Sequence, residues 1–161
     1  MDQVSIVPAH ENDVPVILQM IKGLAEYEQL SHEVVATEES LRASLFGAKP
    51  AAEVVLAYSD RMPVGFALYF HNYSTFLGRS GLYLEDLFVV PGWRARGVGR
   101  KLLGHLASIA VERGCGRMEW AVLDWNESAL GFYRRLGARV LDDWRICRLS
   151  GEALSRVATD A

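Results

Sequence analysis

The sequence is poor in cysteine. Its 161 residues include only two, Cys115 and Cys147. That excludes a disulfide scaffold and a cysteine-rich metal site, and it fits reduced thiols. No apolar run reaches membrane-spanning length, and the first residues show no basic stretch followed by an apolar core. Neither charge sign dominates. Seventeen Lys and Arg stand against twenty Asp and Glu, a net charge of −3. Bulk nucleic-acid binding is disfavoured and cationic partners are mildly favoured. The four histidines, His10, His32, His71 and His105, have no ligand or triad spacing, and no serine sits in a nucleophile elbow. No repeat or low-complexity stretch interrupts the chain, so one domain over residues 1–161 is expected.

What is present is half hydrophobic and strongly patterned. Val4 to Pro8 alternates as a first strand. Asn12 or Asp13 caps a helix with Pro15 in its first turn and Val14, Ile17, Leu18, Ile21, Leu24 and Ala25 at helical spacing, ending near Tyr27 to Leu30. Thr37 caps a shorter helix that Gly47 stops. Residues 53–58 and 64–70 read as a hairpin around Ser59 to Pro63, followed by a loop over Asn72 to Gly78. The central stretch, Leu82 to Arg113, reads as strand, Pro91-Gly92 turn, then a helix over Gly97 to Arg113. A strand over 117–123 and a short helix capped by Asn126 and stopped at Gly137 come next. Two closing strands are predicted at 138–141 and 144–149, with at most one or two helical turns after Gly151. Strands outnumber helices and include hairpins, which gives an α+β class with a mixed sheet.

Three features carry chemistry. Arg94-Ala95-Arg96-Gly97-Val98-Gly99-Arg100 opens a helix after a strand. Unpaired amides, a positive dipole end and missing Cβ atoms suit a phosphate there, although an ordinary helix-start turn has the same outline. Leu102 stands where a dinucleotide fingerprint needs a small residue, which disfavours a nucleotide-dependent oxidoreductase. Glu85 and Asp86 sit inside an apolar strand, on opposite faces if its pleat is regular. Buried carboxylates are costly, so they mark either a site or a wet edge or bulge. Tyr133, beside Phe132 on a short helix, is either core or a proton donor.

Together these residues resemble the GNAT superfamily of acyl-CoA-dependent N-acyltransferases. Arg94-Ala95-Arg96-Gly97-Val98-Gly99 is similar to its pyrophosphate motif. Trp125-Asn126-Glu127, Phe132-Tyr133 and Leu136-Gly137-Ala138 resemble its later motif. Residues 21–28, with Tyr83 to Val89, are similar to the diamine (spermidine/spermine) acetyltransferase group. The resemblance implies a mixed, twisted, splayed sheet flanked by helices, with acetyl-CoA as cosubstrate and no metal. It implies cofactor contacts from Leu87, Phe88 and Val89 along the strand. Further contacts would come from Arg94, Ala95, Arg96, Gly97, Val98, Gly99 and Arg100 at the pyrophosphate, and from Asn126 near the thioester. Tyr133 would be the general acid and Glu85 the base. Tyr27, Glu28, Glu85, Asp86 and Asp142, or Asp143 in its place, would bind a cationic amine.

The implied reaction is acetyl transfer to a polyamine or diamine by direct attack in a ternary complex. Thialysine, a lysine-like amino acid or a protein amine is the alternative acceptor. A non-catalytic acyl-CoA sensor is the reading from another class. A cytoplasmic homodimer, with neither nucleic-acid nor membrane partners, completes the expectation. The turn at Ser59 to Pro63 and the loop from Gly137 to Trp144 are shorter than in the animal polyamine enzymes. Both border the implied amine site.

Overall fold

The structure, a computed structural model, describes residues 3–159. Its contacts divide the chain into two compact units, Met1–Ala121 and Val122–Ala161.

The first unit holds a five-stranded sheet in the order β1 (Val4–Pro8), β2 (Glu53–Ser59), β3 (Met62–Ser74), β4 (Arg79–Val89), β5 (Met118–Trp120). The first three pairings are antiparallel and β4 with β5 is parallel, so the sheet is mixed. The helices α1 (Val14–Tyr27) and α2 (Glu38–Phe46) cover one face. The apolar spacing of α1 buries Val14, Ile17 and Met20 against Leu41, Leu45, Val54, Leu56, Phe66 and Phe88. Burying each large aliphatic there contributes about 1.5–3 kcal/mol. Residues alternate across a strand, so Gly65, next to Phe66, faces the other side. There it meets Leu102 and Val98 of α3 (Val98–Glu112), because a Cβ on Gly65 would lie 3.3 and 3.5 Å from them.

Local signals account for most helix ends. Pro15 lies in the first turn of α1. Thr37 caps α2, its hydroxyl accepting from the Ser40 amide at 3.1 Å. Gly97, at φ 83°, starts α3, a conformation that suits glycine.

The second unit carries α4 (Glu127–Arg135) and α5 (Gly151–Thr159). Asn126 caps α4 by accepting from the Ala129 amide at 3.2 Å, and Gly137 follows it at φ 90°. Residues 138–150 form no strand, so the two predicted closing strands are corrected. Alternation supplies two faces but not a hydrogen-bonding partner, and a strand needs both. Beyond them α5 is longer than the one or two turns predicted. In the first unit, β5 is shorter than the predicted 117–123. The stretch predicted as a loop from Asn72 is strand up to Ser74, leaving only residues 75–78 as the hairpin tip.

Candidate active site

The central strand β4 changes character midway. Leu82, Tyr83 and Leu84 pair with Met118, Glu119 and Trp120 on one side and with β3 on the other. From Asp86 to Val89 the pairing to β3 continues, Asp86 with Leu68 and Val89 with Gly65, but the ladder to β5 has stopped. The β4–β5 ladder therefore ends before Leu87, Phe88 and Val89, and on that edge the Val89 carbonyl accepts from Arg94 Nε at 3.0 Å. Such an edge receives an extended amide chain as a strand would.

Where that ladder ends, the register with β3 shifts. Leu68 faces Asp86 while Tyr69 faces Leu84, so Glu85 is an extra residue in β4, a β-bulge. The regular pleat that would put Glu85 and Asp86 on opposite faces is interrupted there. Glu85 is exposed and Asp86 half-buried. Asp86 shares the face of Phe88, two residues on, and Phe88 packs in the α1 and α2 core.

The end of α1 brings Tyr27 and Glu28 to this face. Burial first, and then the negative charges of Glu85 and Glu28, together push the Asp86 carboxyl up to about 6. Burial also raises Glu28. Three acids thus share one electrostatic site, and burial with two like charges keeps Asp86 raised. A cationic ligand would relieve it.

After β4, a short 3-10 turn (Pro91–Trp93) leads to Arg94 in extended backbone and Ala95 in the left-handed region at φ 59°. Lys101 N–H makes the first bond of α3, to Gly97 O at 3.0 Å. The amides before it lie outside the helical ladder and at the positive end of the helix dipole. A Cβ on Gly97 would meet nothing within 4 Å, so the approach there is open. These features fit a pyrophosphate joined to an amide-bearing arm. The guanidinium of Arg96 lies 5.0 Å from the Trp93 ring centroid. Arg94 turns elsewhere: its Nε donates to Val89 O at 3.0 Å, and its guanidinium lies 4.5 Å from the Tyr27 ring centroid and 5.6 Å from that of Phe88.

The remaining candidates belong to the second unit. Tyr133 is half-buried on α4, its ring 5.5 Å from that of Phe132. Asn126 caps the same helix. Asp142 and Asp143 are both exposed in the turn between Leu141 and Trp144. Tyr27, Glu28, Glu85, Asp86 and the residues from Leu87 to Arg100 are thus gathered in the first unit. The bulge weighed from the sequence as one alternative for these acids is present, with Glu85 as its extra residue, and sequence reasoning missed the contact between Arg94 and Tyr27. An extra polar residue in an apolar strand hints at the first. Nothing local signals the second, whose partners are 67 positions apart.

Residues 21–138 match the model of the acetyltransferase (GNAT) family. The chain belongs to the GNAT acetyltransferase family. It is 40% identical to the thialysine N-epsilon-acetyltransferase of Mus musculus, over 98% of this chain and 99% of that protein. It is 33% identical to the L-ornithine N5-acetyltransferase of Arabidopsis thaliana, over 92% of this chain and 85% of that one. A solved structure, an integron cassette protein from the mobile metagenome of V. cholerae, superposes with a TM-score of 0.81 at 26% identity, covering 98% of both chains. The GNAT assignment makes this chain an acyl-CoA-dependent N-acetyltransferase, and the sensor and oxidoreductase readings fall. GNAT acetyltransferases use acetyl-CoA, and the β4 edge and amide-lined turn suit that molecule.

Proposed function

We propose that the chain acetylates a primary amine of a small acceptor carrying more than one charged group. The observation that carries this is the Glu28, Glu85 and Asp86 cluster, with Asp86 pushed up to about 6. Three acids that raise one another, as Glu85 and Glu28 raise Asp86, suit an ammonium group. Relatives named for thialysine and ornithine favour the ω-amine of an amino acid. Resemblance to the diamine acetyltransferase group keeps polyamines as the second reading.

The roles follow from the residues. The amides of Ala95 to Arg100, with the Arg96 and Arg100 side chains, hold the pyrophosphate, and the backbone of Leu87, Phe88 and Val89 pairs with the pantetheine arm. Asn126 contacts the same molecule near its thioester. Acetyl-CoA supplies the acetyl group as an activated thioester. Tyr27, Glu28 and Asp86, with Asp142 or Asp143, position the acceptor. An alkylammonium of pKa ~10.4 is no nucleophile until it loses a proton. Glu85, exposed on the bulge, takes that proton directly or through water. The Leu87 amide stabilises charge developing on the reacting carbonyl oxygen, and Tyr133 protonates the departing sulfur. Holding both reactants in one geometry supplies much of the acceleration. Both units act as one acetyltransferase domain in this reading.

Release of free CoA thiol across spermidine, spermine, putrescine, lysine, ornithine, thialysine and a short peptide tests the proposal. A small cationic amine should exceed the peptide by at least about tenfold. Preference for the peptide would overturn it. Two free cysteines support a reducing, cytoplasmic setting; recovery of the native protein only from another compartment would refute that. The exposed Trp144 and Ile146 (79% and 74%) support a homodimer, which a monomeric sedimentation mass would exclude.

A further inference from the structure

The bulge at Glu85 shifts the alternation of β4 by one, so Tyr83 falls on the same face as Asp86. Asp86 pairs with Leu68, which packs on the α1 and α2 core. Tyr83 pairs with Phe70, two residues farther along the same side of β3. The Phe70 and Tyr83 rings lie 5.2 Å apart, and both are half-buried. Beyond the acid cluster this face therefore continues as an aromatic floor.

A charged pair borders the floor. Glu119 of β5 stands opposite Tyr83 in the register. Its Oε1 lies 2.8 Å from Arg117 Nε and accepts from Asn72 Nδ2 at 3.3 Å. A Cβ on Gly81 would lie 2.4 Å from Asn72 Oδ1 and 3.3 Å from Arg117 Cγ, so both side chains lie over Gly81 on this face. Burial first, then the negative charges of Glu85 and Glu119, push the Tyr83 hydroxyl above its usual range. Tyr83 thus has the acid cluster on one side and the charged pair on the other. Those contacts use Glu119 Oε1 and Arg117 Nε, which leaves Glu119 Oε2 and the Nη fork to take a ligand's ammonium and carboxylate.

Glu85 lies two residues along β4 from Tyr83, and Glu119 one strand across, so their backbones are about 8 Å apart by strand geometry. Four or five bonds from an α-carbon to an ω-nitrogen cover about 5–6 Å. An ω-amino acid laid on the floor therefore reaches both ends. Its α-carbon carries an ammonium and a carboxylate side by side, which adjacent Glu119 and Arg117 complement. A diamine has nothing to offer Arg117.

We propose that Arg117 and Glu119, across the Phe70 and Tyr83 floor from Asp86, bind the α-carboxylate and α-ammonium of an amino-acid acceptor whose ω-amine lies among Glu28, Glu85 and Asp86. The inference rests on the amine-acceptor reading above. It makes this pair the element that separates ω-amino acids from diamines.

The test measures kcat/KM at saturating acetyl-CoA for two sets. One is ornithine, putrescine, which lacks the carboxylate, and 5-aminopentanoate, which lacks the α-amine. The other is thialysine with its two matching analogues. Wild type should prefer each amino acid over either analogue by about tenfold or more, the value of one charge-assisted contact. Arg117→Gln should bring the ratio of amino acid to diamine close to unity, and Arg117→Lys should restore part of it. Glu119→Gln should do the same to the ratio of amino acid to its analogue without the α-amine. A ratio does not depend on the folded fraction, so partial misfolding cannot mimic the result. Unchanged ratios in both variants would make the pair an ordinary surface ion pair and overturn the inference. Wild-type preference for the diamines, or turnover of spermidine alone, would also overturn it while sparing the amine-acceptor reading. Turnover of no compound in either set, nor of spermidine, by wild type with acetyl-CoA bound would sink that reading and this inference with it.

Discussion

Glu53 and Asp86 stand on neighbouring regions of one sheet and titrate in opposite directions. Glu53, at the start of β2, is gripped by Arg113 at the end of α3, with Nη1 to Oε2 at 2.6 Å and Nη2 to Oε1 at 2.9 Å. Arg113 holds its carboxyl below the usual range. Asp86 has burial and two like charges instead, and it is pushed up to about 6. The first carboxylate is at ease in the folded protein. The second costs stability and is kept. A chain able to supply a bidentate arginine at one acid has left three others without one. The difference marks Asp86, Glu85 and Glu28 as a place awaiting a cation from outside.

The comparison breaks most visibly at Asp86. Asp86→Asn removes the charge that meets the acceptor. Steady-state assays should show acceptor kcat/KM falling by about 100-fold, the usual cost of truncating a buried charge pair. The same substitution should stabilise the protein. A carboxyl raised from 3.8 to about 6 favours its protonated form in the fold. Its stabilising contribution is therefore full below the unfolded value and lost as pH rises through 6. Replacing it should return about 2 kcal/mol at pH 8, or roughly 4–8 °C in Tm, and almost nothing at pH 3. Thermal unfolding at both pH values checks this. Equal loss of stability at both would mean that Asp86 is an ordinary structural acid.

How much of this contrast is legible in the sequence differs by residue. Glu85 and Asp86 are conspicuous because an apolar strand is an expensive place for charge. Gly97 and Gly99 at a helix start, Thr37 as a cap and Pro15 in a first turn are local signals, and the structure has them as expected. The bulge at Glu85 is not local, since it depends on how β3 pairs with β4. The guanidinium of Arg94 over Tyr27 and the fork from Arg113 to Glu53 join distant segments, and no periodicity encodes them. Residues 138–149 show the reverse failure. Their alternation is plain, yet a strand also requires a partner that the alternation does not name.

Glu28 offers a subtler change. Its charge is one of the two that raise Asp86. Glu28→Gln leaves burial and Glu85 acting, so Asp86 should ionise at lower pH. The acidic limb of acceptor kcat/KM, which rises as Asp86 ionises near 6, should move acidward by roughly half a pH unit. A limb that stays in place would show that Glu28 does not act on Asp86 during catalysis.

The smallest effect belongs to Glu53, and its sign is opposite. Both partners are well exposed, with side-chain exposures of 41% for Arg113 and 43% for Glu53. Solvent screens the pair, and even good bidentate geometry contributes about 0.5–1 kcal/mol there. Glu53→Gln keeps an acceptor for Arg113 while removing the charge. A group lowered in the fold contributes stability above its unfolded value of 4.5 and loses it as pH falls. Chemical denaturation should therefore show a small deficit at pH 7 that disappears near pH 3 and shrinks in molar salt. Acceptor kcat/KM should be unaltered, because Glu53 has its cation already. A large catalytic loss in Glu53→Gln would erase the distinction between the two carboxylates, since an acid satisfied within the fold would then be serving the acceptor.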